Sequence, residues 1–139
     1  MKRHDSHSSI LLILERGEEL QESLQTFALG SSELESAWLT GLGGAMSATL
    51  GFYDFTAKSY IWKTFDEPLE IVSLTGNLSF VDGKPFWHIH GVFSDKNFAT
   101  VGGHVKELTI GLTGELYITP LSMSLNRQGD DTTGLKLIG

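Results

Sequence analysis

The dipeptide Asp82-Gly83 constrains this chain more than any other short segment, because a two-residue type I′ turn needs positive φ at both central positions and these residues supply it. It separates two runs of β-forming residues, Leu69–Phe80 and Lys84–Phe93, which together predict a long antiparallel hairpin. Similar runs recur at Ala48–Phe55, Ser59–Phe65, Val105–Leu112 and Glu115–Met123, with Leu135–Ile138 as a last short strand. Gly76 marks a bulge or bend in the long run, and Thr113-Gly114 a turn between the two later ones. Sixteen Gly spread along 139 residues with only three Pro fit this strand-rich reading.

The N-terminal part is different. Met1–His7 is polar and aperiodic and is expected to be disordered, leaving 8–139 as a single domain. Ser9–Glu15 is a continuous apolar run that reads as a strand buried on both faces. From Glu18 the period changes: Leu20, Leu24, Phe27 and Ala28 recur at three and four, and Gly30 closes a helix. Ser32 and Glu35 have capping-box spacing, which allows a short second helix before Trp38 or a simple turn. The expected fold is α+β, a largely antiparallel sheet of seven or eight strands with one or two helices.

Composition narrows the chemistry. With no Cys there are no disulfides, thiolate metal sites or cysteine nucleophiles. A net charge of −7 opposes phosphate-backbone binding. The longest early apolar run, Ile10–Leu14, is too short to span a bilayer, so the expected compartment is the cytoplasm. Gly41-Leu42-Gly43-Gly44 lacks the spacing of a dinucleotide fingerprint, and no Gly-x-Ser-x-Gly elbow supports serine catalysis.

Histidine carries the remaining signal. Alternation along Lys84–Phe93 puts Phe86, His88, His90 and Val92 on one face and Trp87, Ile89, Gly91 and Phe93 on the other. His88 and His90 are then about 7 Å apart at the backbone and can converge on one ion. If the Ser94–Gly103 loop returns the chain beside this strand, His104 reaches the same face. Three neutral imidazoles suit Zn2+ or another divalent first-row metal and leave a coordination position open. The same spacing also fits two solvated imidazoles and a third that caps a turn. Asn77 and Tyr117 are candidates to orient a ligand, and Glu70 and Glu107 are acid/base candidates near that face. His4 and His7, in the polar leader, are given no role.

The run Glu67-Pro68-Leu69-Glu70-Ile71-Val72-Ser73-Leu74-Thr75-Gly76-Asn77, then Asp82-Gly83-Lys84-Pro85, His88-Ile89-His90 and Gly102-Gly103-His104 resembles the plants-and-prokaryotes-conserved (PPC) domain, as does Leu50-Gly51-Phe52-Tyr53-Asp54. The resemblance implies a compact α+β homotrimer with the fold of acetolactate decarboxylase, a three-histidine zinc enzyme. It also implies that His88, His90 and His104 bind metal. Uncovered sheet edges give trimerisation a physical reason, with Leu135–Ile138 a contributor. Plant members carry an Arg-Gly-Arg-Pro segment for the DNA minor groove, and Met1-Lys2-Arg3-His4 lacks its Gly and Pro. The function expected is binding of, or lyase- or hydrolase-like action on, a small anionic molecule. The alternative is a DNA-associated or protein-interaction module without catalysis.

Overall fold

The computed structural model describes residues 1–139. The strands are β1 (Lys2–Asp5), β2 (Ile10–Glu15), β3 (Ser36–Asp54), β4 (Ser59–Phe65), β5 (Leu69–Val81), β6 (Lys84–Ser94), β7 (Thr100–Leu121), β8 (Arg127–Asp130) and β9 (Leu135–Ile138), with one helix, α1 (Leu20–Leu29), between β2 and β3. Seven strands form one antiparallel sheet in the order β1-β2-β7-β6-β5-β3-β4, and β8 and β9 pair separately. Strand β7 also pairs with β3, so β7, β6, β5 and β3 close into a ring. The α+β expectation and its largely antiparallel sheet hold.

The core is a single cluster of 25 buried hydrophobic residues inside this arrangement. Helix α1 covers it with the stripe the sequence predicts, Leu20, Leu24, Phe27 and Ala28. Glu19 caps the helix by accepting from the Glu22 amide at 2.7 Å, and Gly30 ends it. Trp87 on β6 is buried beneath α1, where its indole Nε1–H donates to the Leu24 carbonyl at 3.0 Å. This contact fixes the inward face of β6. By alternation it turns His88 and His90 outward.

Three expectations change, and one open alternative is decided. Lys2–Asp5 is not disordered: it adds an edge strand, each residue pairing with β2 from Lys2↔Ile13 to Asp5↔Ile10. Its side chains are all exposed, so backbone pairing forms it without any apolar pattern. Of the two readings of Ser32–Glu35 the turn is the one that forms: the Leu34 amide donates to the Ser31 carbonyl, and β3 begins at once at Ser36. The strand expected at Ala48–Phe55 begins at Ser36 instead, and β3 runs for 19 residues through Gly41, Gly43 and Gly44. Likewise β7 runs for 22 residues through Thr113-Gly114.

The glycines serve close approach instead of turning. At Gly43, with φ +150°, a Cβ would collide with the Thr113 carbonyl of β7, and the ladder shifts register there. A glycine that admits a neighbouring strand looks in sequence like one that makes a turn.

Candidate metal centre

The three histidines converge. The Asp82-Gly83 turn, with both residues at positive φ, sends β6 back along β5 so that Asn77 pairs with His88 and Thr75 with His90. After Asp95–Ala99, β7 returns along β6 and sets His104 opposite His90. Glycine makes this approach possible. Gly103 faces Gly91 on β6, and on its other side a Cβ would lie 2.7 Å from the Gly51 carbonyl oxygen of β3. His104 therefore sits where β7 is paired with both β6 and β3.

One nitrogen from each of His88, His90 and His104 lies within 4.8 Å of the other two. The ring centroids are 5.0, 5.2 and 5.4 Å apart. His88 and His104 are half-buried and His90 is exposed. His88 Nε2 and His90 Nε2 are 3.1 Å apart and share a proton. His104 Nδ1 is buried without any hydrogen-bond partner.

The set fits a divalent cation: three imidazoles converge, His104 keeps a ring nitrogen without a partner, no thiolate or carboxylate competes, and an ion would replace the proton held between His88 and His90. Burial pushes His88 down from 6.5 to about 4, helped by the Arg127 guanidinium and then by His104 and His90. Burial also pushes His104 to about 4, with His90 and Arg127 adding to it. His90 is lowered by burial as well. The rings are therefore neutral near pH 7, the form that coordinates a metal.

The surroundings of the triad come from three further strands. On β4, Tyr60 and Trp62 stack with centroids 4.6 Å apart, and Tyr60 lies 5.0 Å from the His104 ring. From β8, Arg127 reaches His88: its Nη2 donates to His88 Nδ1 at 3.2 Å and to Asn77 Oδ1 at 3.1 Å. Guanidinium has only donors, so His88 Nδ1 is the acceptor and the ring proton lies on Nε2. A cavity of about 420 Å³ opens beside the triad, with His88, His104, Arg127, Tyr60, Trp62 and Phe86 in its wall.

Of the other sequence candidates, Asn77 is in place, but it holds Arg127. Tyr117 is exposed elsewhere on β7, opposite Leu11 and Thr40. Glu70 pairs with Ser94 and lines a different cavity. Glu107 accepts from Thr49 Oγ1 at 3.1 Å and lies beside Lys106, in another surface depression. The structure brings neither acid to the cavity beside the triad. The sequence reading missed Tyr60, Trp62 and Arg127. The aromatic pair shows as i, i+2 alternation on a strand; nothing in the spacing links Arg127 to His88.

Residues 1–122 match the Plants and Prokaryotes Conserved (PCC) domain. The chain belongs to this family. As a PCC-domain chain it is 34% identical to a metal-containing protein of Archaeoglobus fulgidus, with 99% of each chain covered and a TM-score of 0.87. It is 31% identical to a candidate DNA-binding protein of Ralstonia eutropha JMP134, covering 99% of this chain and 95% of that one, with a TM-score of 0.91. The acetolactate decarboxylase of Bacillus subtilis subspecies spizizenii shares the PCC-domain fold alone: it is 13% identical, with a TM-score of 0.60 over 88% of this chain and 57% of that chain. No curated protein matches the chain by sequence. Arg127 and the β8–β9 hairpin follow the residues matched by the family.

Proposed function

We propose that this PCC-domain protein is a homotrimeric, cytoplasmic metal protein that binds a small anionic molecule, or acts on it with lyase- or hydrolase-like chemistry, at His88, His90 and His104, with Zn2+ as the ion.

 The observation that carries this reading is the convergence of one nitrogen from each of three imidazoles within 4.8 Å, on a set in which His104 also keeps a buried ring nitrogen without a partner. The metal-containing relative from Archaeoglobus fulgidus supports it. A divalent ion held there supplies Lewis acidity toward an oxygen of the bound molecule. The chain's own residues do the rest. Arg127 contributes positive charge beside the triad, Asn77 holds that guanidinium, and Tyr60, Trp62 and Phe86 give the molecule an apolar wall.

Association is supported by an exposed apolar patch on the outer face of β2, β7 and β3, where Leu11 and Thr40 flank Tyr117 and Trp38 and Leu42 continue the row. Such a patch is a natural contact between copies. Light scattering is expected to give three times the chain mass of 15.2 kDa. No helix is long and apolar enough to cross a membrane.

The deciding experiment is elemental analysis of untagged protein never exposed to chelator, beside a His88→Ala/His90→Ala/His104→Ala variant. About one ion per chain is expected in the unmodified protein. Less than about a tenth of an equivalent would defeat the metal reading. The rival reading, a DNA-associated module, takes its support from the Ralstonia eutropha relative and is opposed by the charge of −7. Retention of sub-micromolar DNA binding near physiological salt would favour it.

A further inference from the structure

Arg127 is the one cation near the triad whose charge is unopposed. None of the ion pairs in the molecule includes it. Its four hydrogen bonds all go to neutral acceptors: Nε to Ser79 Oγ at 2.8 Å, Nη1 to the Lys136 carbonyl at 3.1 Å, and Nη2 to Asn77 and His88. Its guanidinium carbon lies 5.2 Å from the centre of the Phe86 ring. Lys136, on the same hairpin, is already neutralised by Asp82 at 2.9 Å.

A half-buried guanidinium fixed by four neutral partners is costly to keep without a counter-ion, and it binds an anion with little further loss of side-chain freedom. Four of its five N–H groups are engaged, which leaves one on Nη1 together with the whole charge. One unopposed side-chain cation suits a ligand with a single negative charge. Apart from Arg127, Lys136 and the rings of His88 and His104, the cavity wall is apolar: Tyr60, Trp62, Val81, Phe86, Leu135 and Leu137 line it. Its volume of about 420 Å³ has room for a ring or a branched chain.

We propose that Arg127 is the anion-recognising residue of this site and that it selects a monocarboxylate with a flat, apolar body. This rests on the reading of the cavity as a site for a small anion, and it does not require the ion to be bound.

The test uses benzoate as probe and benzamide as its uncharged counterpart, titrated calorimetrically into the full chain with and without Zn2+. Benzoate is expected to bind the metal-free protein at least tenfold more tightly than benzamide does, a preference worth about 1.4 kcal/mol. Arg127→Met is expected to erase that preference while the Zn2+ stoichiometry stays as in the unmodified protein. Arg127→Lys, which keeps the charge without the fork, should restore part of it. Equal affinity of the unmodified protein for both probes, or no binding of benzoate at millimolar concentration, overturns the proposal without using a variant that must fold. An unchanged preference in Arg127→Met also overturns it. Failure of Zn2+ to bind, with the benzoate preference intact, would remove the metal reading and leave Arg127's role standing.

Discussion

Replacing Gly103 by Ala tests whether the close approach of β3, β7 and β6 builds the metal centre. A Cβ at Gly103 would lie 2.7 Å from the Gly51 carbonyl oxygen, while ordinary contact begins at 3.4 Å, so β3 and β7 must part by about 0.7 Å. The obstacle is backbone, which cannot rotate away as a side-chain end can. Overpacking of this kind costs about 1–3 kcal/mol. Weakening of the adjacent ladder adds about 1 kcal/mol, and the lower chain entropy of unfolded Ala returns about 0.4–1 kcal/mol. The net loss is about 1–3.6 kcal/mol, which for a chain of this length lowers Tm by roughly 3–14 °C. His104 follows Gly103 directly, and metal–ligand distances tolerate only about 0.2 Å, so Zn2+ affinity should fall at least about tenfold. Gly129→Ala is the control, since nothing lies within 4 Å of a Cβ there. The assay is thermal unfolding by circular dichroism together with competitive Zn2+ titration. If Gly103→Ala melts with Gly129→Ala and holds Zn2+ as tightly, the packing argument is refuted.

Three other outcomes follow from the same geometry. With His88 and His104 lowered to about 4 in the fold and near 6.5 when unfolded, the unfolded chain binds more protons between these values. Stability of the metal-free protein should therefore be complete above about pH 6.5 and decline as pH falls toward 4, by about 1–2 kcal/mol per imidazole after solvent screening; a midpoint independent of pH across that window would contradict the burial of the two rings. Zn2+ affinity should stay nearly level through pH 6.5 and weaken only as the folded-state values near 4 are approached, because protons compete with the ion only there; half-loss near pH 6.5 would show imidazoles with ordinary affinity for protons. Arg127 donates to His88 Nδ1 and so places the ring proton on Nε2, the atom that faces His90. Arg127→Met should free the tautomer and raise Zn2+ affinity about threefold or more, and weaker Zn2+ binding in that variant would mean that the guanidinium supports the ligand set.

The sequence made the hairpin at Asp82-Gly83 and the outward row of His88 and His90 legible, because both depend on local rules: turn dihedrals and the two-residue period of a strand. The helical stripe from Leu20 to Ala28 was legible for the same reason. Long-range pairing was not. Lys2–Asp5 has no apolar pattern and becomes a strand only because β2 offers it an open edge. Gly41, Gly43 and Gly114 look like turn residues when the strand lying against them is unknown. At the candidate site, His104 could be placed once a return loop was assumed, whereas Tyr60, Trp62 and Arg127 arrive from β4 and β8 through topology alone. Glu70 and Glu107 were singled out by chemical type, and type says nothing about which cavity a carboxylate faces.

The double pairing of β7 gives the two halves of the site different lifetimes. His104 is paired with β6 and β3 and His90 with β7 and β5, so opening either to solvent requires breaking two ladders together, in the range of whole-molecule unfolding. Arg127 lies on a two-stranded hairpin that pairs with the body through a single bridge, Phe80 to Asn126, and a few side-chain contacts. Amide hydrogen exchange should accordingly be slow at His90 and His104 and much faster in Arg127–Asp130 and Leu135–Ile138. On the proposed reading the chain would thus release the grip of its guanidinium many times within the residence of one ion, and exchange of an anion and exchange of metal would proceed on separate clocks.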